Sequence, residues 1–209
     1  MEISWHGLSC FSLTESNMAT IVTDPYDEDL GLPALHLKAD VVTVSHDAAG
    51  HNNLQAVTGY EYALDGPGEY EIGGVFITGV STAQDATSTP NVLFMFNYDG
   101  VTVAHLGDMD KVPTQTQIEA LEEIHVLLLP VGGGKSLNAA QAAELVSMLE
   151  PNIVVPMHFQ IPGLKVELDG VERFLNEMGV SDPVEDSSLT VSSGNLSDET
   201  EVIVLIPKQ

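Results

Sequence analysis

The chain has 209 residues, of which 31 are Asp or Glu and 6 are Lys or Arg, so its formal net charge is −25. Nucleic acids and anionic membrane surfaces are bound through Lys and Arg side chains, and this composition excludes both as expected partners. The single Cys10 leaves no intrachain disulfide, and the first residues lack the pattern of a signal peptide. We therefore expect a cytoplasmic protein, built as one domain over residues 1–209.

The first hundred residues have the pattern of short β-strands separated by tight turns. Strands are predicted over residues 3–14 and 20–23, and two glycine-containing turn signals divide the β-rich segment 62–82. Residues 91–106 predict a hairpin, because Asp99-Gly100 separates two runs of mostly apolar residues.

Helices and apolar strands alternate in the second half of the chain. Helices are predicted over residues 114–124, 138–149 and 171–178. The second helix has a capping box, formed by Asn138 and Gln141. Strands are predicted over residues 125–131, 153–157 and, less regularly, 188–207. The pattern as a whole is that of an α/β protein with helices outside a large β core.

Polar residues follow the ends of several of these apolar strands. His46 and His158 each come directly after one such run, Asp108 follows another, and Gly132–Lys135 follows a fourth. Any one of these histidines alone could simply cap a strand or satisfy a buried polar group. Because ligand sites in α/β sheets gather at the carboxyl ends of strands, the set indicates a common site.

The order of these motifs resembles the metallo-β-lactamase superfamily. The segments WHGLSCFSL, DGPGEYEIGGVFITGV, VLLLPVGGG and IVVPMHFQIPGL narrow the resemblance to a branch of metal-dependent hydrolases related to ascorbate-6-phosphate lactonase. The resemblance covers nearly all of the chain. It implies a four-layer αβ/βα sandwich, with two β-sheets face to face, helices outside and metals bound at one edge.

The metal motif of this chain departs from that of the superfamily. Where His-x-His-x-Asp-His is expected, the chain has His46-Asp47-Ala48-Ala49-Gly50-His51. Gln84 stands at the position of the next metal-binding histidine, and Leu8 stands where relatives have a histidine. Asp108 matches the bridging aspartate and His158 the final histidine.

The resemblance implies that at most one metal ion binds. The first metal would need three histidines, of which only His46 remains, whereas the second keeps His51, Asp108 and His158. Two histidines and one carboxylate form a recognised catalytic zinc set, with water as the fourth ligand. We therefore take His46, His51, Asp108 and His158 as candidate metal residues for one Zn²⁺, Mn²⁺ or Fe²⁺ ion. His46, released from its own metal, is the candidate general base, and Asp108 is the second candidate catalytic residue.

The sequence is compatible with three functions of this site. A bound metal could activate water to hydrolyse a small-molecule ester, lactone or phosphoester. The site could instead be metal-free and belong to a pseudoenzyme that acts as a binding or regulatory module. It could also be a vestige with no role beyond packing. The family also suggests a possible homo-oligomer.

Other candidate residues carry weaker signals. Asp24 matches an aspartate that supports the superfamily's metal site, but it could equally begin the turn at Pro25. The loop Gly132–Lys135 could cradle an anion, although a tight strand-to-helix turn explains it as well. His105 and Cys10 are expected to be structural. Most acidic residues must then lie on the surface, as a salt-adapted cytoplasm would tolerate.

Overall fold

The computed structural model describes residues 1–82, 90–114, 118, 121 and 123–208. The first eight strands are β1 (Glu2–Gly7), β2 (Cys10–Thr14), β3 (Ile21–Thr23), β4 (Leu37–Lys38), β5 (Val41–Thr43), β6 (Val57–Thr58), β7 (Tyr62–Leu64) and β8 (Gly68–Ile72). The remaining strands are β9 (Val75–Ser81), β10 (Val92–Tyr98), β11 (Val101–His105), β12 (Val126–Pro130), β13 (Ile153–Met157), β14 (Val184–Asp186), β15 (Leu189–Thr190) and β16 (Glu201–Leu205). The helices whose full extent lies within the described residues are α1 (Ala139–Leu149) and α2 (Val171–Glu177).

The strands form two large mixed sheets and one small one. The first sheet has the order β15-β1-β2-β3-β5-β7, and the second has the order β14-β16-β13-β12-β11-β10-β9-β8. Strands β11, β12 and β13 run parallel at the centre of the second sheet. All residues of these three strands are buried, as the continuous apolar runs of β12 and β13 predict.

The two large sheets share one hydrophobic core. Trp5 and Phe11 of the first sheet belong to the same buried cluster as Phe94 and Phe96 of the second. The Tyr98 hydroxyl extends this contact, because it donates to the carbonyl oxygen of Ala19 at 2.7 Å. The sheets therefore pack face to face, as the resemblance implies.

The two helices pack against the main hydrophobic core. The buried residues of α1 include Leu145 and Val146, and those of α2 include Phe174, all within the main core cluster. The capping box of Asn138 and Gln141 is confirmed. The predicted helix over residues 114–124 lies mainly outside the described residues. In the part of the chain that the structure describes, no helix is long and apolar enough to cross a membrane.

The other face of the first sheet is covered differently. A second buried cluster there joins Val22 and Val42 of the sheet to Tyr26, Leu32 and Leu35 of the following segment. Within the described ranges, this layer consists of the β4–β6 pair and two short 3-10 turns (Glu28–Leu30 and Leu54–Ala56).

One sequence prediction about the first sheet is wrong. Residues 3–14 form two antiparallel strands, β1 and β2, and not one continuous strand. The chain reverses at Gly7 and Leu8, whose φ angles are +119° and +48°. Leucine is unfavourable in a left-handed turn. A leucine at position 8 therefore does not indicate a turn in the sequence.

Candidate metal centre

The candidate site lies where the carboxyl ends of parallel strands from both sheets meet. Asp24 directly follows β3, and His46 follows β5, which pairs in parallel with β3. Asp108 follows β11 and His158 follows β13, and these strands flank β12 in one parallel array. The fold therefore brings together residues that are far apart in the sequence.

Three histidine side chains surround the carboxylate of Asp108. His158 Nδ1 lies 2.7 Å from Asp108 Oδ1, and His51 Nε2 lies 3.3 Å from Asp108 Oδ2. His46 Nε2 is more distant, at 3.9 Å from Oδ2. Ligand atoms of His46, His51 and Asp108 all lie within 4.8 Å of one another. The structure thus brings three of the four predicted metal residues, His46, His51 and Asp108, into one compact set, and it places His158 against the other oxygen of the Asp108 carboxylate.

The donor set fits a metal ion. Asp108 Oδ1 is buried and accepts no aligned hydrogen bond, although His158 Nδ1 is close to it. Two ligands bonded to one tetrahedral zinc at roughly 2.0–2.1 Å are about 3.3 Å apart. The separations of 2.7, 3.3 and 3.9 Å around Asp108 bracket this value. Imidazole nitrogens and a carboxylate at these separations are a suitable set of ligands for one bound cation.

Asp24 and Ser45 orient two of the histidines. The Asp24 carboxylate accepts from His51 Nδ1 at 2.9 Å and from the Ser45 hydroxyl at 2.6 Å. Because the Ser45 proton is used in this way, its oxygen can accept from His46 Nδ1, 3.1 Å away. Both rings then present an unprotonated Nε2 toward Asp108 whenever they are neutral. Metal-binding histidines are commonly fixed by such partners.

The charges of the site are strongly coupled. Burial alone would lower the pKa of His51, but Asp108 and Asp24 outweigh it and raise this pKa to about 10. Burial would likewise raise the pKa of Asp108, yet the positive charges of His51 and His158 hold it well below its usual value. The pKa of His46 is lowered, first by burial and then by the charge of His51. Without a metal, His51 is therefore a cation between two carboxylates.

The backbone beside Asp108 is held by a residue that the sequence analysis did not identify. The Asn91 side chain accepts from the Asp108 amide at 2.9 Å and donates to the Leu106 carbonyl at 3.0 Å. The intervening Gly107 has a φ of +58°, and a Cβ there would lie 2.3 Å from Asn91 Oδ1. Nothing in the sequence near Asn91 suggests this role.

His158 is positioned by the hairpin turn and the glycine loop. Its φ is +51°, and its amide donates to the Leu8 carbonyl at 3.1 Å. The His158 carbonyl in turn accepts from the Gly132 amide at 3.1 Å. A Cβ at Gly132 would lie 2.2 Å from that carbonyl oxygen, so only glycine fits there. Ser136, which the sequence analysis did not identify, lies 3.4 Å from His158 Nδ1.

The histidines open onto a cavity of about 510 Å³. All four candidate metal residues line it, together with Leu8, Ala48 and Gly50, three described positions at which the resemblance implies other residues. Gln84, a further such position, lies outside the described residues. His105 is structural, as predicted: its Nε2 contacts the Ser9 carbonyl oxygen at 2.8 Å, and it does not line the cavity.

Comparison with known proteins places the chain in a family. Residues 2–158 match the model of a beta-lactamase superfamily domain. A UPF0173 protein of Pyrococcus furiosus is 30% identical over 186 residues, which cover 76% of this chain and 83% of that protein. A UPF0173 metal-dependent hydrolase of Methanoculleus marisnigri is 28% identical over 201 residues, which cover 83% and 88%. The chain belongs to the beta-lactamase superfamily, and within it is similar to UPF0173 proteins.

Solved structures confirm the fold. A candidate Zn-dependent hydrolase of the metallo-β-lactamase superfamily from Thermotoga maritima superposes with a TM-score of 0.81 at 34% identity, covering 98% of this chain and 97% of the other. A metallo-β-lactamase fold protein from Bacillus subtilis superposes with a TM-score of 0.62 at 10% identity, covering 99% and 96%. The resemblance to the superfamily is thus confirmed, whereas the link to the ascorbate-6-phosphate lactonase branch stays a prediction.

Proposed function

We propose that this chain is a hydrolase that uses one divalent metal ion, Zn²⁺ or Mn²⁺, against a small-molecule ester, lactone or phosphoester. The observation that carries the proposal is the Asp108 carboxylate, with a buried oxygen that lacks a hydrogen bond and three histidine nitrogens around it. The relative from Methanoculleus marisnigri, described as a metal-dependent hydrolase, supports the same activity.

Each residue of the site has a distinct part in this proposal. His51, Asp108 and His158 would hold the ion, and His46 lies close enough to complete its coordination or to take a proton. The bound ion would supply Lewis-acid polarisation of the scissile group and a lowered pKa for water. His46 is suited to the proton transfer because Ser45 orients its Nδ1 and leaves Nε2 facing the cavity. Asp24 keeps His51 in the tautomer that can bind metal.

The lining of the cavity supports one ion and not two. Ala48 lines the cavity beside His46, where a second imidazole would be needed for another metal. Gln84 replaces a further imidazole in the sequence. Neither side chain is a substitute for histidine in a zinc site.

Metal analysis of the purified chain tests the stoichiometry. After loading with zinc or manganese and removal of excess metal, we expect one equivalent per chain by mass spectrometry. Two equivalents would contradict the proposal. The double variant Ala48→His with Gln84→His is expected to bind a second equivalent if the cavity keeps the geometry of a two-metal site.

Single substitutions connect the metal to the activity. His51→Ala and His158→Ala should each abolish both metal uptake and hydrolysis in a screen of esterase, lactonase and phosphodiesterase substrates. The exposed His36 provides the matched control, since His36→Ala should change neither. Retention of hydrolysis in a folded, metal-free His51→Ala protein would refute the proposal.

A metal-free binding module is the second candidate function. It is favoured by the position of His51, which contacts Asp24 through Nδ1 and Asp108 through Nε2. A histidine paired with a carboxylate on each side can balance buried charge without a metal. A folded chain that takes up no metal and hydrolyses none of the screened substrates would favour this candidate.

A further inference from the structure

An exposed lysine, Lys135, lines the cavity of the candidate metal centre and forms no ion pair in the described part of the chain. Cations are scarce in this protein, with 6 Lys and Arg residues against 31 acids. Other cations are engaged at the surface: Arg173 pairs with Asp169 at 2.8 Å, and Lys208 pairs with Glu2 at 3.1 Å. Lys38 and Lys165 also form no ion pair, but Lys135 alone among the described Lys and Arg residues lines the cavity beside the candidate metal residues.

The loop that carries Lys135 also offers backbone donors. Gly133 and Gly134 both have positive φ angles, +68° and +70°. The Gly133 amide donates to the Leu137 carbonyl, and the Ser136 amide donates to the Gly133 carbonyl. Between them, the amides of Gly134 and Lys135 donate no hydrogen bond to any described residue. Successive free amides in such loops form concave sites for anions.

The apolar residues that line the cavity indicate that a ligand would also have an apolar part. Leu8, Leu30, Val166 and Leu168 give it apolar walls. Asp47, Asp108 and Glu167 also line the cavity, but none of the three forms an ion pair with Lys135, so the ammonium group is not held by a carboxylate of the cavity. Because the chain as a whole is strongly negative, an anionic ligand would be repelled unless a cation in the cavity attracted it.

We infer that Lys135 binds an anionic group, a carboxylate or a phosphate, on a ligand whose apolar part contacts Leu8, Leu30, Val166 and Leu168. As a statement about substrate, this rests on the proposed function. Binding of the anion itself requires no hydrolysis and can be measured separately. The substrate class would be an ester, lactone or phosphoester that bears a second, anionic group.

Direct binding tests this inference with three probes that share one apolar chain. Hexanoate, hexyl phosphate and hexanol are titrated into the full-length protein by calorimetry, with one equivalent of zinc and again after treatment with EDTA. We expect hexanoate or hexyl phosphate to bind at least about tenfold more tightly than hexanol, as for a charge-assisted hydrogen bond. The stronger of the two anions identifies which group the site prefers.

Variants assign the effect to one side chain. Lys135→Gln should remove the preference for the anion, a loss of about tenfold, whereas Lys135→Arg should largely retain it. Lys38→Gln is the matched control, because it removes the same charge from an exposed strand residue that does not line the cavity. Equal binding of the anions to the wild type and Lys135→Gln would overturn the inference.

The outcomes for binding and for catalysis are separable. If Lys135→Gln loses anion binding while the wild type hydrolyses no screened substrate, the inference stands and the proposed function fails. If esters are hydrolysed equally by the wild type and Lys135→Gln, and hexanoate and hexyl phosphate bind no better than hexanol, the proposed function stands and the inference fails.

Discussion

At the scale of single residues, Asp24 has the most demanding position in the molecule. It is fully buried and accepts hydrogen bonds from the Ser45 amide, the Ser45 hydroxyl and His51 Nδ1. Burial would raise the pKa of Asp24, but the charge and hydrogen bond of His51, together with His105 and Ser45, outweigh burial and lower this pKa. The sequence left open whether Asp24 supports the site or begins a turn. The structure supports the first interpretation, because every one of these contacts lies beside the candidate metal residues.

Replacing Asp24 by asparagine should weaken metal binding. In Asp24→Asn, the side-chain NH₂ group is a donor and would face Ser45 and His51, which also donate there. His51 would then lose the acceptor that fixes its tautomer. We expect metal affinity to fall about 10- to 100-fold, measured by competition with a chromophoric chelator. Asp65→Asn, at an exposed position, is the control and should bind metal normally. Unchanged affinity in folded Asp24→Asn would mean that Asp24 does not orient His51.

His6 should make the stability of the fold sensitive to mild acid. Its Nε2 lies 2.8 Å from Ser12 Oγ, and burial lowers the pKa of His6 below its ordinary value of 6.5. Below about pH 6.5 the unfolded chain therefore binds more protons than the folded chain, and the free energy of unfolding falls as the pH falls. The buried His105, whose pKa is also lowered by burial, acts in the same direction.

Removing this histidine should reduce the pH dependence without abolishing it. In urea unfolding at a series of pH values, His6→Gln should show a shallower loss of stability below about pH 6.5 than the wild type. His36→Gln, at an exposed histidine, is the matched control. An unaltered slope in His6→Gln would show that His6 contributes nothing to the acid sensitivity.

At the scale of elements, the site depends on how strands end. The turn after β11 leads to Asp108 through Gly107, which lies close to both Asn91 and Ser45. Gly107 has a φ of +58°. A Cβ at Gly107 would lie 2.5 Å from the Ser45 Cβ, in addition to its clash with Asn91. This turn therefore holds Asp108, which follows a strand of the second sheet, close to Ser45, which follows a strand of the first sheet.

Gly107→Ala should cost more stability than a positive φ alone explains. A left-handed alanine costs roughly 1–2 kcal/mol, and the clash with Asn91 and Ser45 should add to it. Gly100→Ala is the matched control, because Gly100 has a φ of +85° with open space around it. Denaturant midpoints measure both variants. Equal losses of stability would mean that the turn relaxes around the added methyl group.

At the scale of the whole molecule, the net charge of −25 is the dominant property. Few described acids have a cationic partner, so most of this charge repels itself across the surface. The site uses only two of the acids, Asp24 and Asp108. The excess acidity is thus a property of the surface, as the sequence predicts, and not of the candidate metal centre.

Salt should therefore stabilise the fold. The screening length falls to about 3 Å at molar ionic strength, which weakens repulsion between exposed carboxylates. We expect the thermal midpoint to rise steadily from low to molar KCl, measured by circular dichroism. Sucrose at matched osmolality is the control for solvent exclusion. A thermal midpoint that does not change with KCl would show that repulsion between the acidic residues does not destabilise the fold, and that their excess serves solubility.

The order of elements could largely be predicted from local patterns. The apolar runs of β12 and β13, the Asp99-Gly100 turn and the Asn138 cap depend on neighbours within a few residues, and all three are found where expected. The chain reversal at Leu8 cannot be predicted from the local pattern, because contacts formed in the folded chain hold this leucine in a left-handed conformation. Its carbonyl accepts from Trp5 Nε1 at 2.9 Å and from the His158 amide.

The sequence alone predicts which residues form the candidate metal centre, because the resemblance to the superfamily depends on motifs along the chain. The contacts of Ser45 and Asn91 with the site, and the place of Lys135 in its cavity, became known only from the tertiary structure. Ser45 and Asp24 are 21 residues apart, and Asn91 and Asp108 are 17 apart. Such contacts follow from the meeting of strand ends of two sheets, which no local pattern of residues encodes.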